Sequence, residues 1–285
     1  MLAVGPGGAG RILQSDVLSA LTAVGPMASP EKMTAWLKAA NAPTEIKKEL
    51  QEYEERGGTY QFQEDDQKYW LDEFICDLFG LLLFGPGFIA AHKALLQPAH
   101  PNPYKIDLEY PTHPPYAARQ KFLTQALRIL KWDQPISGQK YKSLLHAERA
   151  FLSYIKNDPY APWGWIFSDF QVRKAIVGIK VVLSKYGQLA YKHPSSETLS
   201  ALVRRLTERV PPILAEIDAA GNPKVSKTDI SHILYSGWVF WIGRNHFVNG
   251  NEDALHFFDT NRLCERALLQ QQAINMSLNP KRKDR

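Results

Sequence analysis

Apolar residues recur at helical spacing along most of the chain, and the alternation typical of strands is rare. Several of these segments begin at a residue that commonly caps a helix, such as Ser29 before Pro30, or end at glycine, such as Gly57. The pattern predicts an all-α, multi-helix globular bundle. Helices are predicted at 30–41, 44–56, 65–84, 86–97, 115–131, 139–156, 170–186, 195–209 and 211–219, then from Asp229 to Trp241 and from a cap at Asp259 onward.

Two stretches without helical periodicity interrupt this row. The segment 98–115 is rich in proline and is predicted to be a linker or an ordered loop. The segment Asn157–Ser168 is rich in Pro, Trp and Tyr. We therefore expect a helical region at 1–157, a second helical region at 158–280 that packs on it, and a basic tail at 281–285; a single domain is compatible with the same pattern.

Charge and cysteine content narrow the class of protein. The 285 residues include 34 Lys plus Arg and 29 Asp plus Glu, so the net charge is +5. The basic clusters are short and lack interleaved aromatic residues, so no nucleic-acid partner is predicted. Two cysteines are too few for a disulfide framework, which favours a reducing compartment and a cytoplasmic location.

No membrane span is predicted. The longest uncharged apolar run, Leu78–Ala91, has 14 residues, whereas a spanning helix needs about 20. Gly85, Pro86 and Gly87 also interrupt it, so we expect this run to lie in a buried core. Residues 1–10 lack the positive start of a signal peptide.

The segment Tyr69–Phe84 carries the main chemical signal. As a helix it is apolar nearly all round, yet Glu73 and Asp77 lie four residues apart on one face. Two like charges at this spacing repel each other, and an unpaired buried carboxylate is costly. A cationic companion is therefore expected: a metal ion, a histidine or an arginine, with Arg119 as one candidate.

The same segment opens a series of motifs that resembles a known family. The order is W-x-x-E-x-x-x-D at 70–77, then Gly85-Pro86, then T-H-P-P at 112–115, with Arg119 four residues further on. This order resembles the second half of the gluzincin-type zinc peptidases, the relatives of HtpX and of the CAAX prenyl endopeptidase. The resemblance covers about 67–131, less than a quarter of the chain.

The resemblance implies a role for each of these residues. Glu73 would be a zinc ligand, Asp77 would orient a ligand histidine, and His113 and Arg119 would frame the site. His92 could complete a non-standard metal site together with Glu73 and His113. Zinc is the only cofactor that the resemblance implies.

One element of the family pattern is missing. In these peptidases an earlier helix carries H-E-x-x-H, but all eight histidines of this chain follow Glu73 and none begins that motif. We therefore expect a non-catalytic or partner-dependent relative whose cleft binds a peptide or protein ligand, or a chain without its upstream helix. The alternative is a helical protein-interaction module with no metal and no catalysis.

Other motifs for chemistry are weak. The residues His146–Arg149 include acid and base groups, but on an amphipathic helix they are predicted to lie on the solvated face. Neither a glycine-rich phosphate loop nor a G-x-S-x-G nucleophile elbow occurs in the sequence.

Overall fold

The computed structural model describes most of the chain. The described residues are 28–39, 42–96, 102–108, 112–157, 166–187, 190–217, 223–225, 228–246 and 257–278.

Helices dominate these residues, which confirms the all-α prediction. A short 3-10 turn spans Arg244–His246. The ten helices in the described part are α1 (Pro30–Leu37), α2 (Thr44–Glu55), α3 (Glu64–Phe84), α4 (Pro86–Leu96), α5 (Tyr116–Ile129), α6 (Lys142–Lys156), α7 (Asp169–Lys185), α8 (Ser196–Thr207), α9 (Ile230–Ile242) and α10 (Phe257–Leu278).

The helix predicted at 211–219 is wrong. Residues Ala215–Ile217 form a short strand, β1, that pairs antiparallel with β2 at Pro223–Val225. Two consecutive prolines at 211 and 212 remove two backbone donors, and Arg209 has a φ of 59°, so the chain leaves helical geometry before the strand. Backbone pairing with β2 then provides hydrogen-bond partners for N–H and C=O groups that would lack them in a helix this short.

Side-chain caps fix several helix starts. Ser29 accepts a hydrogen bond from the backbone N–H of Lys32, as predicted, and Asp229 accepts one from Ser231 at the start of α9. The predicted cap at Asp259 is wrong, because α10 already begins at Phe257. Asp259 lies instead in the first turn, where a carboxylate is favourable beside the positive end of the helix.

The apolar run is buried, as predicted. Within the run, Leu82 and Ile89 are fully buried. One turn before it in α3, the Phe74 ring is also buried and lies 5.1 Å from the rings of both Phe122 and Phe167. Such aromatic contacts bury large areas and tie three segments to one core. None of the helices in the described ranges is both long and apolar enough to cross a bilayer.

Contacts group the chain into two compact units. Unit 1 comprises Met1–Leu83, Phe88–Lys131 and Asn157–Ala190, and unit 2 comprises Phe84–Gly87, Trp132–Lys156 and Tyr191–Arg285. Within unit 1, α5 packs against α7, and within unit 2, α9 packs against α6, α8 and α10. Each unit has its own core and its own buried polar cluster.

Candidate functional site

Two acidic side chains lie on one face of α3 in unit 1. Asp77 is buried, and Glu73, one turn earlier, is half-buried. Their neighbours Trp70, Phe74 and Leu78 are fully buried, so the apolar surroundings hold this face inside the unit. A carboxylate in such a place requires a partner, because desolvation of an unpaired charge is costly.

Arg119 of α5 is that partner for both carboxylates. Its Nε and Nη2 donate to the two carboxylate oxygens of Asp77 at 2.8 and 2.7 Å, and its Nη1 lies 2.9 Å from Oε2 of Glu73. The first turn of α5 is fixed by Pro115, whose carbonyl oxygen accepts from the backbone N–H of Arg119. The predicted cationic companion is therefore an arginine, held in the bidentate geometry that its planar fork favours.

The cluster reaches the surface at His113. Nδ1 of His113 lies 3.1 Å from Oε1 of Glu73, and 71% of the His113 side chain is exposed. Glu73 therefore contacts a histidine through one carboxylate oxygen and Arg119 through the other. Exposure therefore increases along the cluster, from the buried Asp77 through the half-buried Glu73 to the exposed His113.

His92 of α4 forms the buried end of the cluster. Its Nε2 lies 3.6 Å from Oδ1 of Asp77, and its Nδ1 lies 2.6 Å from the amide nitrogen of Gln120. Donation from that amide to Nδ1 places the proton of a neutral His92 on Nε2, which faces Asp77. The imidazole also stacks on Tyr116 at a centroid distance of 5.6 Å, so its plane is fixed.

Burial and pairing have opposite effects on this ion pair. Burial raises the pKa of Asp77, although the hydrogen bonds and the charge of Arg119 act to lower it. Burial acts to lower the pKa of Arg119, but Asp77 and Glu73 together raise it above its ordinary value. The guanidinium therefore remains charged, and it supplies the positive charge that a buried Asp77 needs.

The cluster differs from a zinc site in its donor set. A catalytic zinc ion takes three protein ligands and a water molecule. No group of three or more His, Cys, Asp or Glu side chains in the described residues is placed to hold a metal ion. Glu73 could supply one ligand, but both of its oxygens are engaged, and the positive charge of Arg119 lies 2.9 Å from one of them. The described residues therefore do not fit a complete zinc site.

Comparisons with known proteins give no relative for this chain. No protein-family model, curated protein or solved structure matches it.

The structure brings together the five residues that the family resemblance and the non-standard metal site singled out. Glu73, Asp77, Arg119, His113 and His92 form one connected cluster, although their roles in a metal site stay predictions. Sequence reasoning did not find Gln120, which holds His92. A signal was present, because Gln120 precedes the buried Leu123 and Leu127 by three and seven residues and so shares their face.

A second buried carboxylate, which sequence reasoning placed on a solvated face, lies in unit 2. Glu148 of α6 has an exposed fraction of 0%. Its Oε1 accepts from the hydroxyl of Tyr235 at 2.7 Å and from the backbone N–H of Ile136 at 3.0 Å, and Oε2 accepts from Gln139 at 3.4 Å. Burial raises the pKa of Glu148, and these three neutral donors only partly oppose that shift.

Two further titratable groups lie near Tyr235. The hydroxyl of Tyr191 lies 3.1 Å from Nδ1 of His193, and the His193 ring lies 5.9 Å from that of Tyr235. Burial, aided by the nearby His232, lowers the pKa of His193 to about 4. His193 is therefore neutral at physiological pH. Unit 2 thus has a buried polar cluster in which donors are neutral, whereas the cluster in unit 1 contains a permanent cation.

Proposed function

We propose that this chain is a relative of the gluzincin-type zinc peptidases that does not hydrolyse peptides by itself. The observation that carries the proposal is a series of contacts. Glu73 contacts both His113 and Arg119, and Asp77 also contacts Arg119. His113 follows Glu73 by 40 positions, and Arg119 follows Asp77 by 42. The resemblance assigns these four residues to one site.

The proposed role is to provide one side of a site that a partner completes. Glu73 is half-buried and His113 is exposed, so a second polypeptide segment could reach Glu73 from the solvent. By the resemblance, that segment would carry two histidine ligands in H-E-x-x-H, and Arg119 would have to release Oε2 of Glu73. Without such a segment, the surface beside His113 would bind a peptide or protein ligand. The low cysteine content favours a cytoplasmic setting.

The second candidate is a helical interaction module without metal or catalysis. It is favoured by the pairing of Arg119, which already satisfies Asp77 with two hydrogen bonds and Glu73 with one short contact. In this reading the cluster only ties α3 to α5. Removal of Glu73 would then change stability and nothing else.

Metal analysis of the purified chain tests the catalytic state. We expect zinc well below one ion per chain after incubation with Zn²⁺ and gel filtration, and no cleavage of an unfolded protein substrate. Glu64→Ala is the matched control for Glu73→Ala, because Glu64 is an exposed glutamate on the same helix. The chain would be an enzyme by itself if it bound stoichiometric zinc and cleaved the substrate. The zinc would then be lost in Glu73→Ala and kept in Glu64→Ala.

A complementation titration separates the two candidates. A synthetic helical peptide that carries H-E-x-x-H is titrated with Zn²⁺ in the absence and presence of the chain. The proposal predicts that the chain raises the zinc affinity of the peptide by at least about tenfold, since a third ligand is added. The gain should vanish with Glu73→Ala and persist with Glu64→Ala. An affinity that the chain does not change would support the interaction module instead.

A further inference from the structure

Helix α7 of unit 1 exposes a row of apolar side chains. Phe170, Val177 and Val181 have exposed fractions of 65%, 62% and 65%. They are spaced by seven and four residues, so at 3.6 residues per turn they form one row along the helix. The opposite face is buried in the core of unit 1 through Val172, Ala175, Ile176, Ile179, Val182 and Leu183.

Basic side chains border this row on both sides. With 3.6 residues per turn, Arg173 and Lys180 fall on one side of the row, and Lys174 and Lys185 on the other. Lys174 Nζ lies 4.8 Å from the centre of the Phe170 ring, so one cation directly adjoins the apolar row.

The surroundings reinforce the positive charge. Residues 170–187 contain four basic residues and no acidic one. Helix α5, which packs on α7, contains no acidic residue that would offset this charge. The nearest acidic residue of α7, Asp169 at its start, accepts a hydrogen bond from Gln125 at 2.8 Å and pairs with Arg128 at 3.4 Å.

We propose that the outer face of α7 binds the surface of a membrane that contains anionic phospholipids. Its apolar row would enter the boundary between headgroups and acyl chains, while Arg173, Lys174, Lys180 and Lys185 contact lipid phosphates and carboxylates. Long basic side chains suit this position, because their stems lie along apolar surface and their charges remain in water. Juxtaposed apolar and basic side chains of this kind are the pattern of helices that lie in a lipid interface.

Other occupants fit the observations less well. A second copy of this chain would place basic side chains against basic side chains, which opposes an isologous contact. A soluble phosphate would explain the cations but not the apolar row. An acidic partner helix is the remaining alternative, and it predicts that vesicles of neither composition sediment the protein.

Vesicle sedimentation tests the proposal with the full chain. Vesicles of phosphatidylcholine with about 30% phosphatidylserine should sediment the protein at low salt, and vesicles of phosphatidylcholine alone should not. The double variant Arg173→Glu, Lys180→Glu should lower the affinity for the anionic vesicles by at least about tenfold. The double variant Phe170→Ser, Val181→Ser should lower it by about threefold or more.

Matched controls separate this face from general surface effects. Lys48→Glu with Lys140→Glu changes the net charge by the same amount at two other exposed lysines, and it should lower the affinity much less. Leu269→Ser with Tyr141→Ser removes two exposed apolar side chains elsewhere and should leave binding unchanged. Because all these side chains are exposed, the variants are expected to fold, and circular dichroism checks that they do.

Three outcomes would overturn the proposal. The first is failure of the anionic vesicles to sediment the protein. The second is an equal loss of affinity in the two charge-reversal variants, which would mean that net charge alone drives binding. The third is full binding by Phe170→Ser, Val181→Ser, which would mean that the apolar row does not enter the lipid.

Discussion

At the scale of single residues, the molecule stabilises two buried carboxylates in different ways. Asp77 has a permanent cation, because Arg119 places two N–H groups on its oxygens at 2.7 and 2.8 Å. Glu148 has no cation among the described residues that contact it and is held by a tyrosine hydroxyl, a backbone N–H and an amide. The first arrangement depends strongly on one side chain, since removal of either ion leaves the other buried and unpaired.

Replacement of Arg119 should therefore be costly. We expect Arg119→Met to lower the free energy of unfolding by about 3–5 kcal/mol, because Asp77 remains buried without its cation. Arg128→Met is the matched control on the same helix. The ion pair of Arg128 with Asp169 is exposed, so its loss should cost about 0.5 kcal/mol or less. Urea denaturation of both variants gives the two values.

A double variant shows whether the cost arises from the unpaired charge. Arg119→Met combined with Asp77→Leu removes both ions, so a large part of the lost stability should return. A double variant that is as unstable as Arg119→Met alone would mean that Arg119 stabilises the unit by packing rather than by pairing with Asp77.

The sequence indicated that Asp77 is buried but not that Glu148 is, and the difference has a physical reason. For Asp77 the apolar residues on all sides of α3 indicated burial, and burial indicated a cation. Glu148 belongs to an amphipathic helix, where a charged residue is ordinarily solvated. Its position was nevertheless informative, because Leu144 and Leu152, four residues before and after it, are both buried. The donors of Glu148 lie elsewhere in the chain, and no local pattern identifies them.

At the scale of elements, the junction between α3 and α4 is constrained by both backbone conformation and packing. Gly85 has a φ of 66°, a conformation that residues with a Cβ rarely adopt, and Pro86 begins the next helix. A Cβ at Gly85 would also lie 2.6 Å from ring atoms of the buried Tyr191. Backbone conformation and packing therefore both require glycine here.

A pair of glycine variants separates these two requirements. Gly57 also has a positive φ, 85°, but a Cβ there would meet nothing within 4 Å. Gly57→Ala should therefore show the backbone cost alone, about 1 kcal/mol. Gly85→Ala should cost about 1–3 kcal/mol more, because the Tyr191 ring must shift. Thermal unfolding of both variants measures the difference, and equal losses would mean that Tyr191 adapts freely.

Helices were predictable to the extent that their signals are local. Capping residues, glycine stops and apolar periodicity lie within each segment, and α1 to α9 begin within three residues of the predicted positions. The segment 211–219 failed because β1 depends on β2, six residues beyond it, and a strand of three residues has too short a pattern to indicate its partner. The meeting of α3 with α5 was anticipated through the expected cation for Asp77, with Arg119 as one candidate, and through the family resemblance.

At the scale of the whole molecule, two groups in the buried cluster of unit 2 should make stability depend on pH in opposite directions. The folded-state pKa of Glu148 is raised, so the folded protein retains a proton that the unfolded chain has lost, and stability falls as pH rises above about 4.5. The folded-state pKa of His193 is lowered from 6.5 to about 4, so the folded protein resists protonation. Stability therefore falls as pH decreases from 6.5 towards 4.

The two effects oppose each other between pH 4.5 and 6.5, and substitutions should separate them. His193→Asn removes the acid-side loss, which is at most about 3 kcal/mol for a shift of this size. Its stability relative to wild type should therefore increase as pH decreases from 6.5 to 4.

Glu148→Gln keeps an acceptor for Tyr235 and Ile136, and its stability relative to wild type should increase as pH rises above 4.5. Thermal midpoints measured across this range give both slopes. Slopes of the same sign in the two variants would contradict the assignment, because only a lowered histidine pKa and a raised carboxyl pKa give opposite dependences on pH.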